Sequence, residues 1–365
     1  MKGSLSGIQR KVLFLCMLFS VLLSGCGSKD SGLLSEVPAP GSEDQIHILL
    51  MKNDDTSELF RLGDQICMPG EAKLYLYNMQ QAYQSVYGDS IWEKKAGTVP
   101  LEDKLKNSAL SRITAVKTLT LMARDRGVEL DDDEKKLARE AAVTYINSIG
   151  QSGLEKLELD DDMMVTCCEE LMLADKVYRN ILEETEPEIS DDEARMVTVS
   201  QILLKTYSVG RDNVRTEFDD KQKAEVYQKA LNILTEIKQG GDFDTIAATS
   251  NQADKITVSF GRDERQKQVC DAAFMLSQGE ISRVIETDDG YLIMKCVQSF
   301  DREQTDLRKD EIARKKKEEA FARIYDDFSV DLLRSFNDSE WDSIHFNSSE
   351  LSGDNFFDII STLLK

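Results

Sequence analysis

Histidine is scarce in this chain of 365 residues, which contains only His47 and His345. Neither has another histidine near it in sequence, so neither is predicted to ligate a metal ion. Basic residues are also few beside acidic ones, since 45 Lys and Arg stand against 67 Asp and Glu, a formal net charge of −22. A surface of that sign repels nucleic-acid phosphates and anionic lipid head groups. We therefore expect no nucleic-acid partner, no metal site and no cofactor.

Paired cysteine motifs are missing as well, because no Cys-x-x-Cys spacing occurs. Cys16 and Cys26 belong to the N-terminal segment. An odd number of cysteines remains, so they cannot all pair with one another: Cys67, Cys167, Cys168, Cys270 and Cys296. We expect these five to be buried small apolar residues rather than a redox or zinc site, although the sequence leaves the state of each thiol open.

The first residues have the character of an export signal. A basic start is followed by the apolar run 12–23, which is too short to span a bilayer stably. The residues before Cys26, Leu23 to Gly25, then resemble the cleavage site of a bacterial lipoprotein. This resemblance implies a signal peptide over residues 1–25, a lipid on the Cys26 thiol and attachment to the cell membrane, facing outside the cytoplasm. The alternative is an ordinary signal peptide with a chance cysteine.

Residues 26–57 are rich in small and polar residues and are predicted to be a tether, interrupted by a strand-like apolar run over 46–51. Residues 58–189 are predicted to be mainly helical. A strand and turn come first, and a helix then opens at Pro69 and runs to Gly88. Further helices are predicted over 101–126, from a capping box at Asp131 and Glu134, and over 161–183.

The stretch 196–300 has a different pattern. The β-branched run 197–204 predicts a strand, and a helix follows that is stopped by Gly240 and Gly241, with its apolar face at Ala224, Tyr227, Leu231, Leu234 and Ile237. Five short motifs come in order within the stretch: 200–203 (SQIL), 242–247 (DFDTIA), 272–276 (AAFML), 279–282 (GEIS) and 290–293 (GYLI).

These motifs resemble the parvulin-type peptidyl-prolyl isomerase domain, which we assign to residues 195–300. Residues 127–134 and 187–193 also resemble elements of the helical domain of SurA- and PrsA-type extracytoplasmic foldases. The resemblance implies an α+β fold, in which a SurA-N-like helical body (58–189) carries an inserted parvulin-like domain with a small antiparallel sheet flanked by helices. It also implies that the C-terminal helix and tail (301–365) pack on the body, and that 355–360 is either a docked helix or a sticky peptide.

The parvulin resemblance implies a slot for proline, but most of its polar groups are replaced. Gln201 and Leu292 stand where the family has two histidines, and Gln252 stands near the family's Cys or Asp position. Arg265 and Val269 replace a Met and a Phe of the slot, while Lys255 and Val258 replace a glycine turn. Candidate substrate-binding residues are therefore Phe260, Arg265, Val269, Phe274 and Leu276. Leucine can neither donate nor accept a hydrogen bond, and Arg265 brings charge into an apolar slot.

Three functions follow as hypotheses. The favoured one is a membrane-anchored foldase or chaperone that binds unfolded, newly exported polypeptides, with weak or lost isomerase activity. The second is an active peptidyl-prolyl cis-trans isomerase on the same scaffold. The third is a substrate-capture lipoprotein, which is disfavoured because no two-lobe repeat of strands and helices is visible. The client proteins and the oligomeric state are not determined by the sequence.

Overall fold

The computed structural model describes residues 50–52, 57–96, 99–332, 334–345 and 353–363. The predicted signal peptide, Cys26 and His47 lie outside these residues. Contacts divide the chain into two compact units, of which one is Glu186–Lys316 and the other is formed by the chain before and after it. The α+β fold class, a helical body with an inserted parvulin-like domain, is confirmed. No helix among the described residues has both the length and the apolar character that crossing a membrane requires.

The first part of the body is dominated by long helices. A short 3-10 helix, Asp89–Glu93, also occurs there. The elements in chain order are β1 (Leu50–Lys52), β2 (Phe60–Leu62), β3 (Gln65–Cys67), α1 (Pro69–Tyr87), β4 (Lys95–Ala96), β5 (Val99–Pro100), α2 (Leu101–Asp125), α3 (Asp132–Lys156) and α4 (Asp161–Glu184). The predicted capping box is present, since Asp131 accepts from the Glu134 amide and Glu134 accepts from the Asp131 amide, each at 2.8 Å.

The inserted unit contains a four-stranded antiparallel sheet in the order β10–β11–β6–β9. Its elements are β6 (Val197–Lys205), β7 (Tyr207–Val209), β8 (Arg215–Glu217), α5 (Asp220–Lys238), α6 (Phe243–Ser250), β9 (Thr257–Phe260), α7 (Lys267–Met275), β10 (Ile285–Thr287) and β11 (Gly290–Gln298). One sheet face packs on α5 and α6, and the other packs on α7.

The apolar face of α5 differs from the sequence prediction. Leu234 and Ile237 are buried as expected, but the stripe continues through Ala230 and Ile233, which are spaced for one side of a helix. Ala224 is exposed. Tyr227 is 43% exposed, and its ring instead lies 5.0 Å from that of Tyr291. The predicted stripe was therefore rotated relative to the face that meets the sheet.

The chain ends with α8 (Arg302–Val330), β12 (Arg334–Phe336), α9 (Asp338–Ser343) and α10 (Phe356–Leu363). Of the two alternatives for the end of the chain, the structure has the docked helix, because Phe356 and Ile360 of α10 are buried in the core of the body. Asn78 of α1 anchors this helix by accepting from the Phe356 amide at 2.8 Å. Phe321 of α8 and Ile344 are buried in the same core.

A buried charge cluster also lies in the body. The Lys117 ammonium group is 2.6 Å from Glu71 and 2.8 Å from Glu170, and its side chain is 3% exposed. Burial alone lowers the pKa of Lys117, but the two carboxylates outweigh that effect and raise the pKa above its ordinary value. Lys117 therefore remains charged. The cysteines Cys67, Cys167, Cys168, Cys270 and Cys296 are all free and buried, as expected.

Candidate functional site

A cavity of about 500 Å³ opens on the sheet face that packs on α7. Among the residues that line it are five of the candidates named above: Gln201, Phe260, Arg265, Val269 and Leu292. They come from β6, β9, the loop before α7, α7 itself and β11. Four separate elements of the sheet and its helix thus meet at one site that the sequence motifs predict.

The strand register explains why Gln201 and Leu292 meet. In the antiparallel pair of β6 and β11, Leu292 lies opposite Leu203 and Met294 lies opposite Gln201. Side chains two residues apart on a strand share a face, so Gln201 and Leu292 are diagonal neighbours on the cavity side. The residue directly opposite Gln201 is the fully buried Met294, which gives Gln201 no proton-sharing partner across the strands.

Gln201 is held in place by the strand edge beside it. Its side-chain amide donates to the carbonyl of Lys255 at 2.8 Å, and its backbone amide donates to the carbonyl of Ile256 at 2.8 Å. Leu292 is 6% exposed and packs in the apolar cluster of this face. One of the two positions is therefore occupied by an amide that is already bonded, and the other by a side chain that has no polar atom.

Gln252 does not line the cavity, and its side chain is hydrogen-bonded to the edge of β6 instead. Its side-chain carbonyl accepts from the Lys205 amide at 2.6 Å, and its backbone amide donates to the Leu203 carbonyl at 2.9 Å. The preceding Asn251 accepts from the Leu203 amide at 3.0 Å. These bonds extend the β6 edge beyond the end of β9, so Gln252 satisfies backbone groups of the strand that carries Gln201.

Phe274 and Leu276 are buried behind the cavity rather than on its wall. Both belong to the apolar cluster on this side of the sheet. The Arg262 guanidinium lies 4.5 Å from the centre of the Phe274 ring, and that of Arg195 lies 5.4 Å from it, both within the range of cation–π attraction. Phe274 therefore contributes to the packing of α7.

Charged and aromatic residues that the sequence motifs do not predict also line the cavity: Lys205, Tyr207, Asp254 and Asp289. Lys255, which stands in place of the family's glycine turn, lines it as well. The alternation of β6 contains a signal for the first of these, because Lys205 follows Gln201 and Leu203 at spacings of two. The others lie in loops or in a separate hairpin, so no local pattern relates them to the strand.

The β7–β8 hairpin is tied to the turn between β10 and β11. Arg215 donates to the Asp289 carboxylate at 2.8 Å and to the Asp288 carbonyl at 2.6 Å. Its guanidinium lies 3.7 Å from the centre of the Tyr207 ring. These contacts hold Tyr207 and Asp289 on the same side of the cavity.

The chemistry available at the site is limited. Neither Gln201 nor Leu292 titrates, and the sulfur-bearing neighbours are buried: burial raises the pKa of the Cys270 and Cys296 thiols above the ordinary value. Within the described residues, no group of three His, Cys, Asp or Glu side chains is placed to hold a metal ion. Gln201 and Leu292 therefore supply the cavity with no group that exchanges a proton.

Comparison with known proteins agrees with this geometry. Residues 202–298 match the Rotamase family, described as a PPIC-type PPIASE domain. No curated protein sequence matches the chain. The chain therefore contains a parvulin-type peptidyl-prolyl isomerase domain, and the cavity lies within it.

Several solved structures are similar to the chain. The peptidylprolyl isomerase PrsA from Bacillus cereus is 17% identical, with 74% of this chain and 97% of that one covered and a TM-score of 0.32. The foldase protein PrsA from Streptococcus pneumoniae is 17% identical, with coverages of 84% and 99% and a TM-score of 0.23. One chain of the Campylobacter jejuni pair PEB4 and Cj1289, described as SurA-like chaperones, is 11% identical, with coverages of 77% and 99% and a TM-score of 0.28. These TM-scores are low, so the assignment rests on the match over residues 202–298.

Proposed function

We propose that this chain is a lipid-anchored extracytoplasmic foldase that binds unfolded segments of exported polypeptides in the cavity of its PPIC-type domain, with weak or lost isomerase activity. The strongest support for this proposal is the bonding and burial of the two residues at the family's histidine positions. Gln201 is bonded to the Lys255 carbonyl, and Leu292 is buried and apolar. The cavity is retained while its proton-sharing groups are not.

Binding and isomerisation make different demands on such a cavity. Rotation about a prolyl amide has a barrier of about 18–20 kcal/mol, because the C–N bond is partly double. A catalyst must stabilise the twisted amide more than the planar one, with polar groups aimed at the atoms whose charge changes. A side chain without polar atoms cannot do this, but Leu292 and Val269 can still bury an apolar ring. Affinity for proline-containing segments is therefore expected without comparable turnover.

The proposed membrane anchor is the lipidated Cys26. Its support is the sequence alone, through the apolar run and small residues that precede Cys26. The acidic charge of the chain gives no electrostatic attraction to anionic lipid, so a covalent lipid is the physically sufficient means of attachment. Radiolabelled fatty acid should be incorporated into the chain in a bacterial host, and Cys26→Ala should abolish the incorporation.

A matched pair of variants tests whether the cavity binds clients. Val258 lines the cavity on β9, and Val226 lies on α5 at the opposite face of the sheet; both are half-buried. Val258→Trp should fill part of the cavity and weaken binding of an unfolded proline-containing polypeptide at least tenfold. Val226→Trp makes the same chemical change away from the cavity and should leave the affinity unchanged. Binding to the full chain can be followed by fluorescence anisotropy with a neutral dye on the client.

Isomerisation is measured with the same full chain by exchange spectroscopy on a proline peptide. Uncatalysed exchange takes tens to hundreds of seconds at 25 °C, so acceleration is easy to detect. We expect binding with little acceleration. Acceleration equal to that of a parvulin with both histidines, lost in Gln201→Ala, would contradict the proposal and support an active isomerase. Equal client affinity for Val258→Trp and the unchanged chain would exclude the cavity as the client site.

A further inference from the structure

The loop between β9 and α7, residues 261–266, supplies part of the cavity wall. Arg265 and Gln266 at its end line the cavity, as does Val269 in the first turn of α7. The loop contains neither strand nor helix, so its course depends on side-chain contacts. The Cys270 thiol donates to the Gly261 and Arg265 carbonyls at 3.6 and 3.5 Å, but a thiol is a weak donor. The placement of this part of the wall therefore depends on what else holds the loop.

Arg308 of α8 holds this loop from outside the cavity. Its guanidinium group binds the carboxylates of both Asp263 and Glu264, and its side chain is 12% exposed. Glu264 also accepts from the Gly261 amide at 3.0 Å, which closes the loop on itself. A guanidinium group can hold two carboxylates at once because its donors form a rigid planar fork. We call these four residues the clamp.

Gly261 provides the space that the guanidinium group occupies. A Cβ at this position would lie 2.5 Å from the Arg308 Cζ and 2.5 Å from its Nη1, far closer than carbon and its neighbours pack. All three of the nearest atoms belong to the end of the Arg308 side chain, which can rotate away. The backbone of Gly261 is not in the left-handed region. An alanine there would therefore displace the guanidinium group and leave the backbone unstrained.

The start of α8 is fixed to the start of β6, which gives the clamp a firm support. The Asp301 amide donates to the Met196 carbonyl at 2.9 Å, and the Met196 amide donates to the Thr305 hydroxyl at 3.1 Å. The Thr198 hydroxyl donates to the Asp301 carboxylate at 2.5 Å. Because β6 pairs with β9, α8 is held relative to the strand from which the loop departs. Arg308 therefore joins the loop to an element that is itself anchored on the sheet.

We propose that Arg308 is a positioning residue for client binding. By holding the loop 261–266, it determines the placement of the wall residues Arg265 to Val269 and hence the affinity of the cavity for clients. Arg308 itself does not line the cavity. The inference rests on the proposed client-binding function and adds a residue that acts from outside the site. Because coupling between binding and a conformational element is reciprocal, a bound client should stabilise the first turns of α8 in return.

Two variants break the clamp by different means. Arg308→Met removes the guanidinium group, whereas Gly261→Ala displaces it and leaves the charge of the chain unchanged. Each should weaken binding of a blocked peptide with a central Phe-Pro pair and a neutral dye to the full chain about fivefold, as measured by fluorescence anisotropy. The double variant should bind no more weakly than Arg308→Met alone, because both changes remove the same interaction.

Arg302→Met is the matched control. Arg302 lies on the same helix and binds Asp191 at 3.5 Å and Asp306 at 3.3 Å, neither of which belongs to the loop. This variant removes the same charge as Arg308→Met and should leave the affinity unchanged. In each variant, hydrogen-exchange protection of β6 and β11 without peptide shows whether the inserted unit is folded.

Hydrogen exchange also provides a readout that a purely structural role of Arg308 would not change. Saturating peptide should increase the protection of residues 302–316 in the unchanged chain and in Arg302→Met. The same peptide at saturation should leave the protection of these residues unaltered in Arg308→Met and in Gly261→Ala. The comparison is made between bound and free protein of each variant, so a general loss of stability cancels.

The outcomes separate this inference from the proposed function. Unchanged peptide affinity in both clamp variants would overturn the inference while leaving client binding intact. Losses that add in the double variant would also overturn it, as would an equal loss in Arg302→Met or a client that fails to protect residues 302–316 of the unchanged chain. Failure of the peptide to bind the unchanged chain would refute the proposed function, and the inference with it.

Discussion

Gly290 determines whether β11 can approach β6 closely enough to form the cavity face. It begins β11, lies opposite Lys205 and has a φ of 134°, a conformation that is essentially restricted to glycine. A Cβ added there would lie 2.0 Å from the Leu204 carbonyl oxygen and 3.0 Å from the Lys205 Cα. Both contacts are with backbone, which cannot rotate away as a side chain can. Gly290→Ala should therefore force the two strands apart at the cavity.

The magnitude follows from two effects. A side chain in such a backbone conformation costs about 1–3 kcal/mol, and separating the strand ends removes one or two hydrogen bonds worth about 0.5–1.5 kcal/mol each. The expected loss in free energy of unfolding is the sum of the two, about 1.5–6 kcal/mol. Gly279 is the matched control, because its φ is 84° but a Cβ there would meet nothing within 4 Å. Gly279→Ala should cost only the conformational part.

Hydrogen exchange measured by mass spectrometry provides the assay, because it reports on each strand separately. Peptides covering β6 and β11 should lose protection in Gly290→Ala far more than in Gly279→Ala. Both tryptophans of the chain, Trp92 and Trp341, lie in the helical body. Their fluorescence on urea titration should therefore be unchanged in both variants. Equal protection of β6 and β11 in the two alanine variants would refute the steric reasoning.

Two further predictions concern the helical body. Lys117→Met leaves Glu71 and Glu170 as buried, unpaired carboxylates and should lower the free energy of unfolding by about 3–5 kcal/mol. A urea titration followed by tryptophan fluorescence measures this loss. Adding Glu71→Gln and Glu170→Gln should restore most of it, and no recovery would contradict the electrostatic explanation. Burial raises the pKa of Cys168 from 9.0 to about 12, so the folded protein keeps a proton that the unfolded chain loses between those values, and stability should fall as pH rises through that range. The fall should be shallower in Cys168→Ala, and equal slopes would argue against a thiol origin.

Much of the fold could be predicted from the sequence because its signals are local. The capping box at Asp131, the glycine after α1 at Gly88 and the alternation of β6 each act within a few residues. The order of the motifs over residues 200–293 then sufficed to place Gln201 and Leu292 in one site, since the register of β6 and β11 makes them diagonal neighbours. The order of these motifs therefore predicts which residues of β6 and β11 lie beside each other, as well as where the two strands are.

What the sequence did not predict depends on contacts between distant segments. The buried stripe of α5 is determined by where the helix meets the sheet, so Tyr227 was placed on the wrong face. Gln252 lies in a loop whose amide and carbonyl groups complete the β6 edge, and this role has no local pattern. The charges at the cavity come from the end of β6, a loop and the segment before α7, and only the folded chain brings Lys205 and Arg265 to one surface.

The basic side chains and the replaced histidine positions have one physical consequence in common. A cation that attracts a charged group of the client outside the amide stabilises the planar and the twisted amide alike, because the charge it contacts does not change as the amide rotates. Such uniform binding raises affinity without lowering the barrier. Lowering the barrier requires groups directed at the amide itself, and at those positions the chain has a bonded Gln201 and an apolar Leu292. We therefore expect this cavity to hold a client segment more readily than it isomerises one, and exchange spectroscopy on the full chain tests that expectation.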